Sequence, residues 1–220
     1  INQTQVNAQI GLTFAAGLRV LVRQDPDIIM VGEIRDDETA GLAINAALTG
    51  HLVLSTLHTT QAAGAIPRLI DMKAEPFLIA STVDVIIAQR LVRKFSGQTE
   101  KYSLNVTQTK NVQKYCSLEK LLAMLKEEKS IDQNATIKDI VFYRPKNGQN
   151  LQECYKGRLG IVEVLAVTEP IKSLVIKKAS TKEIATQAIK EGMRTMIEDG
   201  FVKAAQGFTS IEEVLRVITE

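Results

Sequence analysis

The 220-residue chain has no tryptophan, and aromatic residues make up only 5% of it, so its core has to be built from Leu, Ile, Val and Ala, as α/β cores commonly are. Its two cysteines, Cys116 and Cys154, are too few for a disulfide framework and point to a reducing compartment. A formal charge of +2 lacks the electrostatic footprint of a nucleic-acid binder and gives no case for a membrane surface. No long apolar run is unbroken. Thr39 to Pro67 holds no Asp, Glu, Lys or Arg, but Thr49-Gly50-His51, Ser55-Thr56 and His58-Thr59-Thr60-Gln61 interrupt it. A membrane span needs about 20 mostly apolar residues, so this stretch is expected to be buried soluble core. There is no signal-peptide pattern, and the chain opens at Ile1 in what reads as mid-domain sequence. No G-x-x-x-x-G-K-[ST] phosphate loop is present, and no Ser–His–Asp or Cys–His nucleophile stands out.

What is there alternates strands with helices over residues 1–95, which predicts an α/β core with a mainly parallel sheet. Residues 1–10 suggest an edge strand or loop. Thr13 caps a helix from Phe14 to about Gln24 with Phe14, Leu18, Leu21 and Val22 on one face, and Asp25-Pro26-Asp27 stops it. Ile28–Val31 is too short for a helix and predicts a parallel strand buried on both faces. Asp36 caps the next helix, with Ala43, Ile44, Ala47 and Leu48 inward and Gly50 at its end. Leu52–Leu54 predicts a second buried strand, Gln61 to Met72 a helix kinked at Pro67, and Pro76 a short helix. Val85 to Phe95 predicts a strand or a strand–helix.

Residues 96–154 turn polar and rich in Lys, Gln and Asn, as an insertion would be. One amphipathic helix is clear there, Leu118 to Glu128 capped by Ser117, and Thr136 to Tyr143 predicts a strand. Over 155–220, Gly157 to Val167 predicts a strand with a glycine kink, followed by helices. Ser180–Glu183 and Thr209–Glu212 read as capping boxes, and Gly192 and Gly207 as helix ends.

Three groups of residues could carry chemistry. Gly32-Glu33 follows the Ile28–Val31 strand, and in open α/β sheets ligands bind beyond the carboxyl ends of the strands. Mg²⁺ wants hard oxygen ligands and keeps several waters, so one carboxylate there suffices; an acidic helix-entry residue is the plainer alternative. The two histidines of the chain, His51 and His58, bracket the Leu52–Leu54 strand. In a parallel sheet only His58 reaches the rim that carries Glu33, where an imidazole could hydrogen-bond a terminal phosphate; backbone-satisfied loop histidines are the alternative. Arg19 and Arg23 lie four apart on one helix face and could grip phosphate, or form a solvated face.

Several long stretches in order resemble one family. They are residues 11–19 (Gly-Leu-Thr-Phe-Ala-Ala-Gly-Leu-Arg), 23–27, 30–36 (Met-Val-Gly-Glu-Ile-Arg-Asp) and 49–59 (Thr-Gly-His-Leu-Val-Leu-Ser-Thr-Leu-His-Thr). Residues 88–93, 155–161 and 192–196 extend the match. Together they look like the type II secretion and type IV pilus assembly ATPases. The resemblance implies the C-terminal portion of a RecA-like P-loop ATPase core: the second half of that core over 1–95, a small insertion over 96–154, and a strand plus helical region over 155–220. It implies a homohexamer that hydrolyses ATP with Mg²⁺ at the inner face of the cytoplasmic membrane. Such a ring drives an inner-membrane platform protein and meets the membrane only through partners, with no nucleic acid involved. Glu33 matches the family's Walker B glutamate near Mg²⁺, beside Gly32; His51 and His58 match its His box; Arg19 and Arg23 stand as nucleotide-contacting candidates. The family's phosphate loop lies upstream of Ile1, so this chain is expected to bind ATP poorly by itself. The other reading is a catalytically silent ring or docking subunit.

The family often carries two Cys-x-x-Cys pairs that bind a structural zinc. Here Ser96 and Thr99 stand at the first pair and Gln149 and Gln152 at the second, so no zinc is expected, and Cys116 and Cys154 read as packed thiols. The insertion favours assembly or secretion members over retraction motors.

Overall fold

The computed structural model describes residues 3–146 and 154–219. The chain forms two compact units, Ile1–Ile86 with Leu165–Met193, and Ile87–Val164 with Arg194–Glu220.

The first unit opens with an isolated bridge, Asn7 to Leu12, and then α1 (Phe14–Val22). Thr13 Oγ1 accepts the Ala16 N–H at 3.1 Å, the cap expected from the sequence. The helix closes two residues before Gln24, and Asp25 turns the chain at φ 51° ahead of Pro26. β1 (Ile28–Val31) and β2 (Leu52–Ser55) run parallel, in register from Ile28 with Leu52 to Val31 with Ser55. The parallel pairing is as expected; burial on both faces is not. Ile29 and Val31 are buried, whereas Ile28 is 60% and Met30 76% exposed, and Leu52 and Leu54 are exposed as well. Side chains alternate across a sheet, and the cluster of Leu18, Ala40, Ala43, Ala46 and Met72 covers only the Ile29 and Val31 face.

Between these strands runs α2 (Asp37–Leu48), capped where the Asp36 carboxylate accepts the Thr39 N–H at 2.7 Å. Its buried stripe is Thr39, Ala40, Ala43, Ile44 and Ala46; Leu48, the last residue of the helix, is exposed rather than inward, and Gly50 turns the chain at φ 94°. The helix expected over Gln61 to Met72 is instead a 3-10 turn, Ala62–Gly64, followed by α3 (Ala65–Asp71). Pro67 causes no kink in a long helix. It has no N–H for Ala63, so α-helical bonding cannot continue through it, and it sits in the first turn, where no donor is required. α4 (Pro76–Thr82) starts on Pro76 as expected.

β3 (Val85–Phe95) is a strand throughout. It is followed by β4 (Thr99–Tyr102), α5 (Val106–Gln113), α6 (Leu118–Glu127), β5 (Phe142–Pro145) and β6 (Tyr155–Ala166). The chain ends in α7 (Glu169–Ile176), α8 (Thr181–Lys190), α9 (Met196–Ala205) and α10 (Ile211–Thr219). In the first unit α7 packs on α4, and α8 on the 3-10 turn. The Ser180–Glu183 capping box and the Gly192 terminus (φ 100°) of α8 match expectation.

In the second unit β3 pairs with β6, and β4 pairs antiparallel with β5. The strand expected over Thr136 to Tyr143 begins only at Phe142. Asp139 accepts from both the backbone N–H and the hydroxyl of Thr136, folding Ile137–Asp139 into a 3-10 turn instead. Within residues 96–146, Val112, Leu121, Met124, Leu125, Ile140 and Phe142 are buried. α9 packs against α6, β5 and α10 and is buried over most of its length. A Cβ on Gly200 would meet Val214 Cγ1 at 2.5 Å, so only glycine lets α9 and α10 approach this closely. The cap of α10 is Ser210, one residue later than the expected box: its Oγ accepts the Glu213 N–H at 3.2 Å, while Thr209 Oγ1 donates to the Arg93 carbonyl.

Candidate functional site at the rim of the parallel strands

Two hydrogen bonds tie together the loops that leave β1 and β2. The Ile34 N–H donates to the Thr56 carbonyl at 3.0 Å, and Thr56 Oγ1 donates to the Gly32 carbonyl at 2.7 Å. This clamp continues the parallel register past the strand ends and sets Glu33 opposite His58. His58 Nε2 lies 3.0 Å from Glu33 Oε2, and Arg35 Nε donates to the same oxygen at 2.7 Å. The Arg35 hydrogen bond, followed by that of His58, holds the Glu33 carboxyl below its ordinary range. Glu33 is therefore an acceptor-only carboxylate, and the proton in the pair belongs to His58 Nε2. Both bonds fall on Oε2, leaving Oε1 without a protein partner among the described residues.

The neighbouring acids are engaged elsewhere. Asp36 caps α2, Asp37 pairs with Lys73 at 2.8 Å, and Glu38 pairs with Arg19 at 2.7 Å. Of the four acids between 33 and 38, Glu33 is the one that meets His58 across the strand ends. A single hard oxygen of this kind suits Mg²⁺, which binds through one or two carboxylates and keeps most of its water. No group of three or more His, Cys, Asp and Glu able to cage a metal occurs among the described residues.

His51 lies apart from this rim. It precedes β2, so the four-residue strand, roughly 13 Å at about 3.3 Å per residue, separates it from the His58 end. Its Nδ1 donates to the Ala46 carbonyl at 2.9 Å and lies 3.1 Å from Thr49 Oγ1, fastening the α2–β2 turn. Arg19 is paired with Glu38 on α2, and Arg23 is the C-cap of α1; neither is brought to Glu33. Gly32 contributes its carbonyl to the clamp.

Sequence reasoning missed Arg35 and Arg68. Arg35 stands two residues past Glu33 in the strand-exit loop, which was the signal available for it. Arg68 lies on α3, and it lines a cavity of about 400 Å³ with Ile34, Arg35, His58 and Met72.

Both thiols belong to the second unit. Burial pushes Cys116 up to about 11, and its Sγ donates to the Ser117 carbonyl at 3.3 Å. Cys154 is buried, and its carbonyl accepts the Ser96 N–H at 3.0 Å. Thr99 opens β4, and Gln149 and Gln152 lie outside the described residues.

The model of the family described as type II/IV secretion system protein matches residues 1–216. The type II secretion system protein E of Xanthomonas campestris pv. campestris is 47% identical over 218 residues, 99% of this chain and 35% of that protein. The type IV pilus assembly ATPase PilB of Thermus thermophilus is 44% identical over 219 residues, 98% of this chain and 22% of that protein. The chain thus spans 35% and 22% of these two relatives, well under half of either. Among solved structures, the Legionella pneumophila ATPase DotB superposes with a TM-score of 0.60 at 22% identity, over 98% of this chain and 45% of that one, a likeness of fold. No helix among the described residues is long and apolar enough to cross a membrane.

Proposed function

The chain belongs to the type II/IV secretion system protein family, and on that premise we propose that it carries the metal and phosphate-sensing rim of an ATP-hydrolysing motor for type II secretion or type IV pilus assembly. The motor is a homohexamer at the inner face of the cytoplasmic membrane, coupled to a membrane platform protein, with residues 96–154 inserted in its core. The observation that carries this reading is the contact between Glu33 and His58, two residues from different loops, at the carboxyl ends of parallel strands. Supporting it, relatives at 40–47% identity bear the names of secretion proteins and pilus assembly ATPases.

In this reading Glu33 would hold Mg²⁺ through a water at its Oε1, and the ion would supply positive charge to offset that of the phosphates. Hydrolysis joins a water oxygen to the γ-phosphorus and breaks its bond to the bridging oxygen, whose electron pair leaves with ADP. His58 Nε2–H serves one strong acceptor at a time. A γ-phosphate oxygen competes with Glu33 Oε2 for it, so the arrival and loss of that phosphate move the imidazole. The chain contains no phosphate-binding loop of its own, and alone it binds ATP weakly.

The test is Glu33→Gln in the full-length protein. The amide keeps the shape of the side chain but loses its charge, so ATP turnover is expected to fall by about 100-fold or more with nucleotide binding retained. Turnover at the wild-type rate in that variant removes the role.

A further inference from the structure

Thr56, the first residue past β2, bonds the chain on both sides of Glu33. Its carbonyl accepts the Ile34 N–H at 3.0 Å, a bond that any residue could make. Its hydroxyl donates to the Gly32 carbonyl at 2.7 Å, and no backbone N–H bonds that carbonyl among the described residues. The side chain is thus the donor that holds Gly32. A Cβ on Gly32 would meet nothing within 4 Å, so packing does not fix this peptide, and glycine escapes the steric limits that restrain other residues. The Gly32 carbonyl and the Glu33 N–H share one peptide plane, so holding the first sets the direction in which Glu33 leaves the loop. His58 follows Thr56 by two residues. One side chain therefore ties together both members of the Glu33–His58 pair, whose Oε2 and Nε2 lie 3.0 Å apart. Thr56 itself is exposed and fills no core.

We propose that Thr56 is a positioning residue for ATP hydrolysis, whose hydroxyl, through the Gly32 carbonyl, holds Glu33 at the separation from His58 that the reaction uses. The proposal rests on the motor reading above and deepens it. Thr56 acts through Glu33 and not on the nucleotide. One hydroxyl on an exposed loop matters here because misplacing a catalytic group by about 1 Å costs roughly 100-fold in rate. The role also separates the two chemical parts of threonine. Serine keeps the donor and loses the methyl, whereas valine keeps the β-branch and the shape and loses the donor.

In the full-length protein, Thr56→Val is expected to lower kcat for ATP hydrolysis by about tenfold with KM for ATP changed by less than about twofold, and Thr56→Ser to stay within about threefold of wild type. Added to Glu33→Gln, the valine substitution is expected to cost little more, because its effect passes through Glu33. A second readout uses no nucleotide. In the 220-residue chain, nuclear Overhauser contacts between the Glu33 side chain and the His58 ring are expected in wild type and Thr56→Ser, and are expected to weaken in Thr56→Val. Thermal melting shows whether each variant is folded, and Thr56→Ala, which also lacks the hydroxyl, replaces the valine variant should that one unfold. Wild-type kcat in Thr56→Val, equal losses in the serine and valine variants, or undiminished Glu33–His58 contacts in Thr56→Val overturns the proposal. So does a further loss of about tenfold when Thr56→Val is added to Glu33→Gln. Failure of the motor reading looks different: Glu33→Gln by itself then turns over ATP at the wild-type rate.

Discussion

Arg93 and Glu213 are 120 residues apart in sequence and joined twice: the Glu213 carboxylate accepts both the guanidinium and, at 3.3 Å, the backbone N–H of Arg93. Arg216, one turn on in α10, donates to the same carboxylate, and the Arg93 guanidinium lies over the Tyr155 ring at 4.7 Å from its centroid. These bonds fix α10 to β3 in the second unit, and they make that unit sensitive to acid.

The Arg93 guanidinium, helped by Arg216, holds the Glu213 carboxyl down to about 2 although its burial pushes the other way. The unfolded chain takes up this proton near the ordinary 4.5. Between those values the unfolded state binds more protons, so stability rises with pH there. The contribution is complete above the unfolded value and is lost as pH falls towards and through 2. Denaturant melts of wild type and Glu213→Gln at stepped pH check this. The variant is expected to be about 2 kcal/mol less stable at neutral pH, with the gap closing as pH falls below 4.

Tyr102 carries a buried hydroxyl with no hydrogen-bond partner among the described residues, and burial makes it a weaker acid than an ordinary phenol. An unsatisfied hydroxyl costs free energy that a phenyl ring of the same shape avoids. Tyr102→Phe is therefore expected to be neutral or to stabilise by about 1 kcal/mol, measured by thermal or urea unfolding. A clear loss of stability would mean that the hydroxyl is bonded in solution.

Cys116 is packed between α5 and α6 with its thiol protonated at neutral pH. Neither cysteine is expected to react with a thiol reagent until the chain unfolds, and a chelator is expected to leave the melting temperature unchanged. Rapid modification of Cys116 in the folded state, or a chelator-induced drop in melting temperature, contradicts this account of the insertion.

The parts of this fold that were legible in the sequence are those decided within a few residues. Thr13, Asp36, Ser117 and Ser180 cap helices where read, because a side-chain oxygen three residues before a free N–H is a local geometry. The Glu33–His58 contact was legible because the pairing of two short apolar runs forces their C-terminal ends together. The exposed faces of Ile28, Met30, Leu52 and Leu54 were not, since a four-residue apolar run does not say which face is covered. α5 escaped notice because only Val112 of its eight residues is buried, so it shows no apolar period, though its Asn105–Gln108 capping box was there to be read. The strand at Phe142 was placed six residues early because nothing local distinguishes a Thr136–Asp139 turn from the strand it precedes. The split of the two histidines was legible too: they bracket a short apolar run, and a parallel pairing brings only His58 to the Glu33 rim.

The central claim is that Glu33 and His58 act as one unit on the terminal phosphate. A double-mutant cycle on ATP turnover in the full-length protein, with Glu33→Gln, His58→Ala and the pair, tests it most directly. The account predicts that each single change lowers turnover severely and that the double variant is little worse than the weaker single one. Losses that multiply, or wild-type turnover in either single variant, would contradict it.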